Sequence, residues 1–287
     1  MTRIVAGFLL QSGIHHDRSL VLHGQRFHFL DWGAPTAPAV VLLHGITGHA
    51  RAWDDEARAL AARYRVLALD ARGHGDSDPA PDGDYTVTTM AGDLAALIDA
   101  VELGHFSLVG LSMGGRVAIA FAGAHPGRVD SLVVVDIGPD IAPAGRLRVG
   151  TLMAHTPERF DDFAAAVAWA RAANPRYTET MLRHRVTHGT RPANGGLVWK
   201  YDRAIRDAVR SGQWRDPVDL WPLWSAIACP TLIVRGAESD VLAPETAKRM
   251  LATNPHARLV EVPGAGHTVP GEQPAAFQRL LTEFLGA

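Results

Sequence analysis

The stretch FSLVGLSMGG, Phe106–Gly115, decides how this chain is read. Its first half is apolar and β-branched enough for a buried strand, and MGGRVAIAFAGA behind it, Met113–Ala124, reads as a helix. Between them stands Gly110-x-Ser112-x-Gly114. A serine at a sharp strand-to-helix turn is forced out at the end of a sheet, and glycines two residues to either side remove the Cβ atoms that would collide there. The helix that begins at Met113 aims free backbone N–H groups at the place where a nucleophilic serine develops negative charge.

Working outward, short apolar runs alternate with helical patterns. Arg26–Asp31 alternates and predicts an antiparallel edge strand. Pro38–Leu43 reads as a strand buried on both faces, Arg65–Asp70 as another buried strand and Val129–Asp136 as a further strand. Trp53–Ala62 and Thr88–Val101 carry helical spacing. This rhythm predicts an α/β fold with a mostly parallel, doubly wound sheet. It breaks over residues 138–225, where helical stretches at Glu158–Ala172, Tyr177–Val186 and Leu197–Arg210 come without a strong strand signal. It resumes with strands at Thr231–Arg235 and Arg258–Val262, each followed by a helix, Pro244–Leu251 and Pro274–Leu285. The expected organisation is therefore a core of residues 1–137 and 226–287 with a helical insertion at 138–225. Ligand crevices of open α/β sheets lie beyond the carboxyl ends of the strands, so an insertion leaving a strand end is placed to act as a cap or lid.

A serine hydroxyl needs a base at neutral pH. His267, in the glycine-rich loop VPGAGH between the last strand and the last helix, is the choice among 14 histidines, because it follows the candidate acids in chain order. The acid that orients it is expected to be Asp240, after the strand Thr231–Arg235. Asp136, at the end of the strand one beyond the nucleophile, and Glu238 are the alternatives. The oxyanion is expected to be held by the N–H of Met113 and that of Ile46, from the loop His44-Gly45-Ile46-Thr47-Gly48. His44 and Gly45 are candidates for substrate contact. The insertion adds arginines (Arg146, Arg183, Arg185, Arg191), of which Arg183 and Arg185 are the candidate substrate-binding pair. An arginine facing the pocket would suit a substrate carboxylate. The tryptophans Trp169, Trp199, Trp214, Trp221 and Trp224 read mainly as packing within the insertion.

Bulk properties narrow the classes. A formal net charge of −2 gives no basic excess for nucleic acid. No apolar run is long enough to span a bilayer, and Met1–Leu10 lacks the cleavage pattern of a signal peptide. The single cysteine, Cys229, excludes an intramolecular disulfide and suits a reducing compartment, so a soluble cytoplasmic protein is expected. The histidines show no H-E-x-x-H spacing. Neither a metal nor an organic cofactor is expected, the partner is a small-molecule substrate, and no oligomeric state is indicated.

The His44-Gly45 loop, DARGHGDS (Asp70–Ser77), GLSMGG (Gly110–Gly115), RGAESD (Arg235–Asp240) and GAGH (Gly264–His267) together resemble the α/β-hydrolase superfamily, in its serine-nucleophile branch with a helical cap. The resemblance runs from about Gly24 to the C-terminus. It implies a hydrolase and makes His74, in a Gly-His-Gly turn, architectural. Serine at position 112 disfavours the branches with a carboxylate nucleophile. The function expected is hydrolysis of a carboxylic ester of small to medium size through an acyl-enzyme. The alternative is a C–C bond hydrolase, enol-lactonase or amide hydrolase acting on a carboxylate-bearing catabolic intermediate. A non-catalytic binding protein would have lost the serine, the histidine or the acid, and all are present.

Overall fold

The computed structural model describes residues 15–211 and 217–286. The reading of Met1–Leu10 and the place of Trp214 lie outside the described residues. In chain order the elements begin with β1 (His15–Leu22), β2 (Gln25–Trp32), β3 (Ala39–Leu43), α1 (Asp54–Leu60) and β4 (Arg65–Leu69). Then come α2 (Val87–Ala100), β5 (Phe106–Leu111), α3 (Met113–Ala124) and β6 (Val129–Val135). The insertion follows with α4 (Pro143–His155), α5 (Phe163–Ala173), α6 (Glu179–Gly189), β7 (Thr190–Ala193), β8 (Gly196–Trp199), α7 (Arg203–Arg210) and α8 (Leu220–Ala226). The chain closes with β9 (Thr231–Gly236), α9 (Pro244–Thr253), β10 (Ala257–Val262), α10 (Val269–Glu272) and α11 (Pro274–Leu285).

The main sheet has the order β1-β2-β4-β3-β5-β6-β9-β10. The six strands from β4 to β10 pair in parallel, and β1 and β2 are antiparallel. Successive side chains of a strand face opposite ways, and β3 shows the result. Val41 and Leu43 enter the apolar layer under α2 and α3, with Leu94, Ile98 and Phe121. Val40 and Leu42 enter the layer under α1 and α11, with Leu60, Phe277 and Leu281. A strand covered on both faces must be apolar throughout, and AVVLL is buried at every position.

Three departures from the sequence reading have local causes. The strand at Arg26–Asp31 is second from the edge, because the polar run His15–Leu22 pairs along its whole length through a turn at His23-Gly24, both at positive φ. Leu197–Arg210 is not one helix. Residues 190–199 form the hairpin β7–β8 around Asn194-Gly195, with φ of 49° and 75°, the turn that Asn-Gly favours. Finally, α8 packs against α3 with Trp224 fully buried in the sheet-side core, so the expected boundary at residue 225 falls inside a helix of the core layer. The rest of the insertion has a small core of its own, built from Phe160, Val167, Leu182, Val186 and Trp199.

Candidate active site

β5 ends at Leu111 and α3 starts at Met113, so Ser112 makes the turn alone, with φ 54° and ψ −115°. Such a conformation is costly for a residue with a side chain and persists only where the surroundings impose it. The two glycines explain how they do. A Cβ on Gly110 would lie 2.3 Å from the carbonyl oxygen of Gly114, and one on Gly114 would lie 2.4 Å from that of Leu43. The chain can fold this tightly only where those carbons are missing.

His267 stands between β10 and α10, and its Nε2 is 2.9 Å from Ser112 Oγ. Its loop is pinned by Glu272, which accepts from the N–H of Gly266 at 2.7 Å and of Thr268 at 3.1 Å. Burial opposes the charge of Glu272, but these donors and Arg176 outweigh it and hold the carboxyl below its usual range. The sequence reading missed Glu272, although its place one helical turn beyond Thr268 was visible.

The acid facing His267 is Asp136, not Asp240. Asp136 is fully buried, and its Oδ2 lies 2.8 Å from His267 Nδ1. The same oxygen accepts from the Ser239 hydroxyl, and Oδ1 accepts from the Gly236 N–H at 2.9 Å. The parallel pairing of β6 with β9 sets this up, since Asp136 follows Val135, whose partner is Val234, and so arrives beside Gly236. Asp240 is held elsewhere: its Oδ2 accepts from Arg148 Nε of α4 at 2.7 Å. Glu238 pairs with Arg176 at the surface. The loop after β9 therefore supplies Ser239, a hydroxyl that supports the acid, instead of the acid itself.

On the other side of Ser112, Gly45 packs so closely that a Cβ there would lie 3.3 Å from the Ser112 Cβ. Among the described residues, the N–H groups of Ile46 and Met113 have no acceptor within the protein. His44 is committed internally. Its Nε2 accepts from the Ala71 N–H at 3.1 Å, which fixes the proton on Nδ1, and Nδ1 donates to the Gly45 carbonyl at 2.8 Å. Burial lowers its pKa and keeps it neutral. His44 thus shapes the loop with both ring nitrogens engaged inside the protein, and it borders the cavity. His74 is fully buried, and burial takes its imidazole to about 3, as an architectural residue requires.

A cavity of about 260 Å³ opens over Ser112 and His267, walled by the His44–Asp55 segment on one side and by α4, α6 and β8 of the insertion on the other. Of the two candidate arginines only Arg185 borders it; Arg183 lies outside, stacked 5.0 Å over the Phe163 ring. Arg146 donates to the Ile141 carbonyl, and Arg191 is exposed. Trp169 and Trp199 serve as both cap packing and cavity wall. Trp221 stacks under Arg249 on the core. At the rim, Asp54, His184 and His188 bring ligand atoms within 4.8 Å of one another. There His184 bonds Asp54 at 3.1 Å, and Arg51, 3.6 Å from the same carboxylate, supplies positive charge. No helix among the described residues is long and apolar enough to cross a membrane.

A strained serine at a strand-to-helix turn, bonded to a histidine from a late loop at the carboxyl edge of a parallel sheet, is the arrangement of an α/β-fold hydrolase. Comparison with known families agrees: the alpha/beta hydrolase fold family matches residues 38–274. The chain belongs to that family and is a hydrolytic enzyme. It is 33% identical over 283 residues to the 3-hydroxybutyrate-oligomer hydrolase of Cupriavidus necator, spanning 93% of this chain and 94% of the relative. It is also 33% identical over 259 residues to an esterase of Mycobacterium tuberculosis, covering 88% of this chain and 84% of that one. Among solved structures, E-2-(acetamidomethylene)succinate hydrolase superposes with a TM-score of 0.86 at 28% identity, over 96% of this chain and 100% of the other.

Proposed function

We propose that this chain hydrolyses a carboxylic ester of small to medium size through an acyl-enzyme on Ser112. The observation that carries the reading is the continuous line Ser112 Oγ–His267 Nε2–His267 Nδ1–Asp136 Oδ2, with steps of 2.9 and 2.8 Å, opening on the cavity. The bond to Asp136 places the imidazole proton on Nδ1, leaving Nε2 free to take the serine proton. Ser112 Oγ attacks the ester carbon as His267 accepts that proton. The carbonyl oxygen becomes an oxyanion, held by the N–H groups of Ile46 and Met113. Collapse breaks the carbon–oxygen bond, and His267 gives its proton to the departing alcohol. Water then attacks the acyl-enzyme, His267 takes its proton and returns it to Ser112, and the carboxylic acid leaves. The segment 138–219 acts as the cap that sizes the cavity. A relative named as an esterase, and another named as a 3-hydroxybutyrate-oligomer hydrolase, support this chemistry.

The superposition on the acetamidomethylene succinate hydrolase favours a second reading, in which the same serine cleaves an amide-like, lactone or C–C bond. Turnover of p-nitrophenyl acetate, butyrate and octanoate, with Ser112→Ala in parallel, tests the first. Turnover that vanishes in the variant supports a serine esterase, and the chain-length profile sizes the cavity. Folded wild-type protein that turns over none of the three shifts the assignment to the second reading.

A further inference from the structure

Among the described residues, one cation of the cavity lining has no carboxylate partner. Arg185, on α6, borders the cavity and donates from Nη2 to Thr47 Oγ1 at 3.1 Å. Its Nε is buried without an acceptor, and among the described residues no carboxylate lies within ion-pair distance of it. The other charges on the rim are already matched: Asp54 with Arg51 and His184, Asp55 with Arg58, and Arg148 with Asp240. Glu56, buried on α1 behind the cavity-lining Asp54 and Asp55, is pushed by burial up to about 8 and carries a proton at neutral pH.

The neighbours of Arg185 add donors. His49 is 4% exposed, and neither ring nitrogen has a partner. Burial, with the charge of Arg185 contributing, takes it down to about 3, so it presents one N–H as a neutral ring. The indole N–H of Trp199 is buried on the same cavity without an acceptor. A guanidinium that lacks a counter-ion and stands beside unused N–H groups is a costly arrangement until an anion fills it.

We infer that Arg185, with His49 beside it, binds a free carboxylate on the substrate, so that the preferred esters are short-chain acid esters carrying a second, anionic end. This rests on the ester reading above. The guanidinium supplies the charged N–H donors with which an arginine pairs a carboxylate. The bond to Thr47 sets the distance. Thr47 follows Ile46, the proposed oxyanion donor, so the anionic end and the reacting carbonyl are held a short spacer apart. Arg185 acts as a specificity residue through binding and takes no part in proton transfer.

The test compares monoethyl succinate with ethyl butyrate, which replaces the carboxylate by a methyl group on the same chain, in wild type, Arg185→Met and Arg185→Lys. The wild type is expected to favour the anionic ester in kcat/KM by about 10- to 100-fold, the worth of one charge-assisted pair. That ratio should fall towards one in Arg185→Met and partway in Arg185→Lys. Equal efficiencies, or a preference for ethyl butyrate, in the wild type overturn the inference and leave the esterase reading standing. If neither ester is cleaved, the p-nitrophenyl esters decide the esterase reading separately, and calorimetry with succinate decides the anion site. Binding to wild type that Arg185→Met loses supports the anion site, and no binding to wild type refutes it. Should Arg185→Met not fold by circular dichroism, the wild-type ratio and Arg185→Lys carry the decision.

Discussion

Asp136→Asn and Asp240→Asn remove the same charge from the two aspartates that compete for one role, and the structure sets different outcomes for them. In Asp136→Asn the amide has little choice of orientation. The Gly236 N–H, 2.9 Å from Oδ1, requires an oxygen there, so the new NH₂ must take the Oδ2 position. It then faces His267 Nδ1, which was 2.8 Å from a carboxylate oxygen. Two donors cannot share that line, so the imidazole moves its proton to Nε2 and can no longer accept from Ser112. An asparagine that imposes the wrong tautomer lowers turnover by about 10³- to 10⁴-fold, or roughly 4–5.5 kcal/mol of transition-state stabilisation. Asp240→Asn breaks only the half-exposed pair with Arg148, worth under about 1 kcal/mol, and should change kcat/KM by less than about threefold. Initial rates on p-nitrophenyl butyrate, with thermal melts to establish that both variants fold, give the comparison. An Asp240 variant as impaired as expected for Asp136, with Asp136→Asn within tenfold of wild type, would refute the assignment of the acid.

Three further outcomes follow from packing and charge. Gly114→Ala drives a methyl carbon to 2.4 Å from the Leu43 carbonyl, where only backbone can give way, and should cost about 3 kcal/mol in denaturant unfolding together with activity. A cost below 0.5 kcal/mol, within the range of a surface substitution, would show that the elbow relaxes. Glu56 is protonated in the fold up to about 8 but ionises near 4.5 when unfolded, so the unfolded chain binds fewer protons between those values. Wild-type stability should therefore fall with rising pH across that window, by up to about 1.4 kcal/mol per unit, and Glu56→Gln should flatten the slope. Asp70 shows the opposite sign. Burial opposes its charge, yet the bond from His28 and the backbone N–H of Ala50 and Asp76 prevail and hold it at about 2. It contributes stability above 3.8 that is lost as pH falls through about 2, a limb worth about 2 kcal/mol that Asp70→Asn should lack in acid-unfolding curves.

The parts of the fold that were legible in the sequence are those fixed by local sterics. Gly110, Ser112 and Gly114 force a turn whose strand and helix adjoin them, so one short window contains cause and effect. The doubly buried strands are legible for the same reason, since AVVLL has no polar face to offer. The acid was not legible, because its position depends on which strands lie side by side. β9 enters next to β6 only after the whole insertion has been made, and that neighbour relation decides that Asp136, and not Asp240, meets His267. Arg183 and Arg185 show a second limit. Two residues apart on a helix they point to different sides, and only the packed position of α6 tells which side faces the cavity. The hairpin at residues 190–199 was in principle readable from Asn194-Gly195; the helical pattern around Arg203–Arg210 obscured it.

The bond between Arg185 and Thr47 joins the insertion to the loop beside the nucleophile, while the serine, the histidine and the aspartate all come from the sheet. The groups that set the reaction and those that line most of the opposite wall therefore lie on separable lengths of polypeptide. Changes of sequence in the second can retune what enters the cavity while leaving the first untouched. One place where such drift meets resistance is this contact, because loosening it from the insertion side also releases Thr47, which stands at φ 61° without a glycine's freedom. That gives the molecule a built-in limit on how far its selectivity can be altered before its rate is altered too.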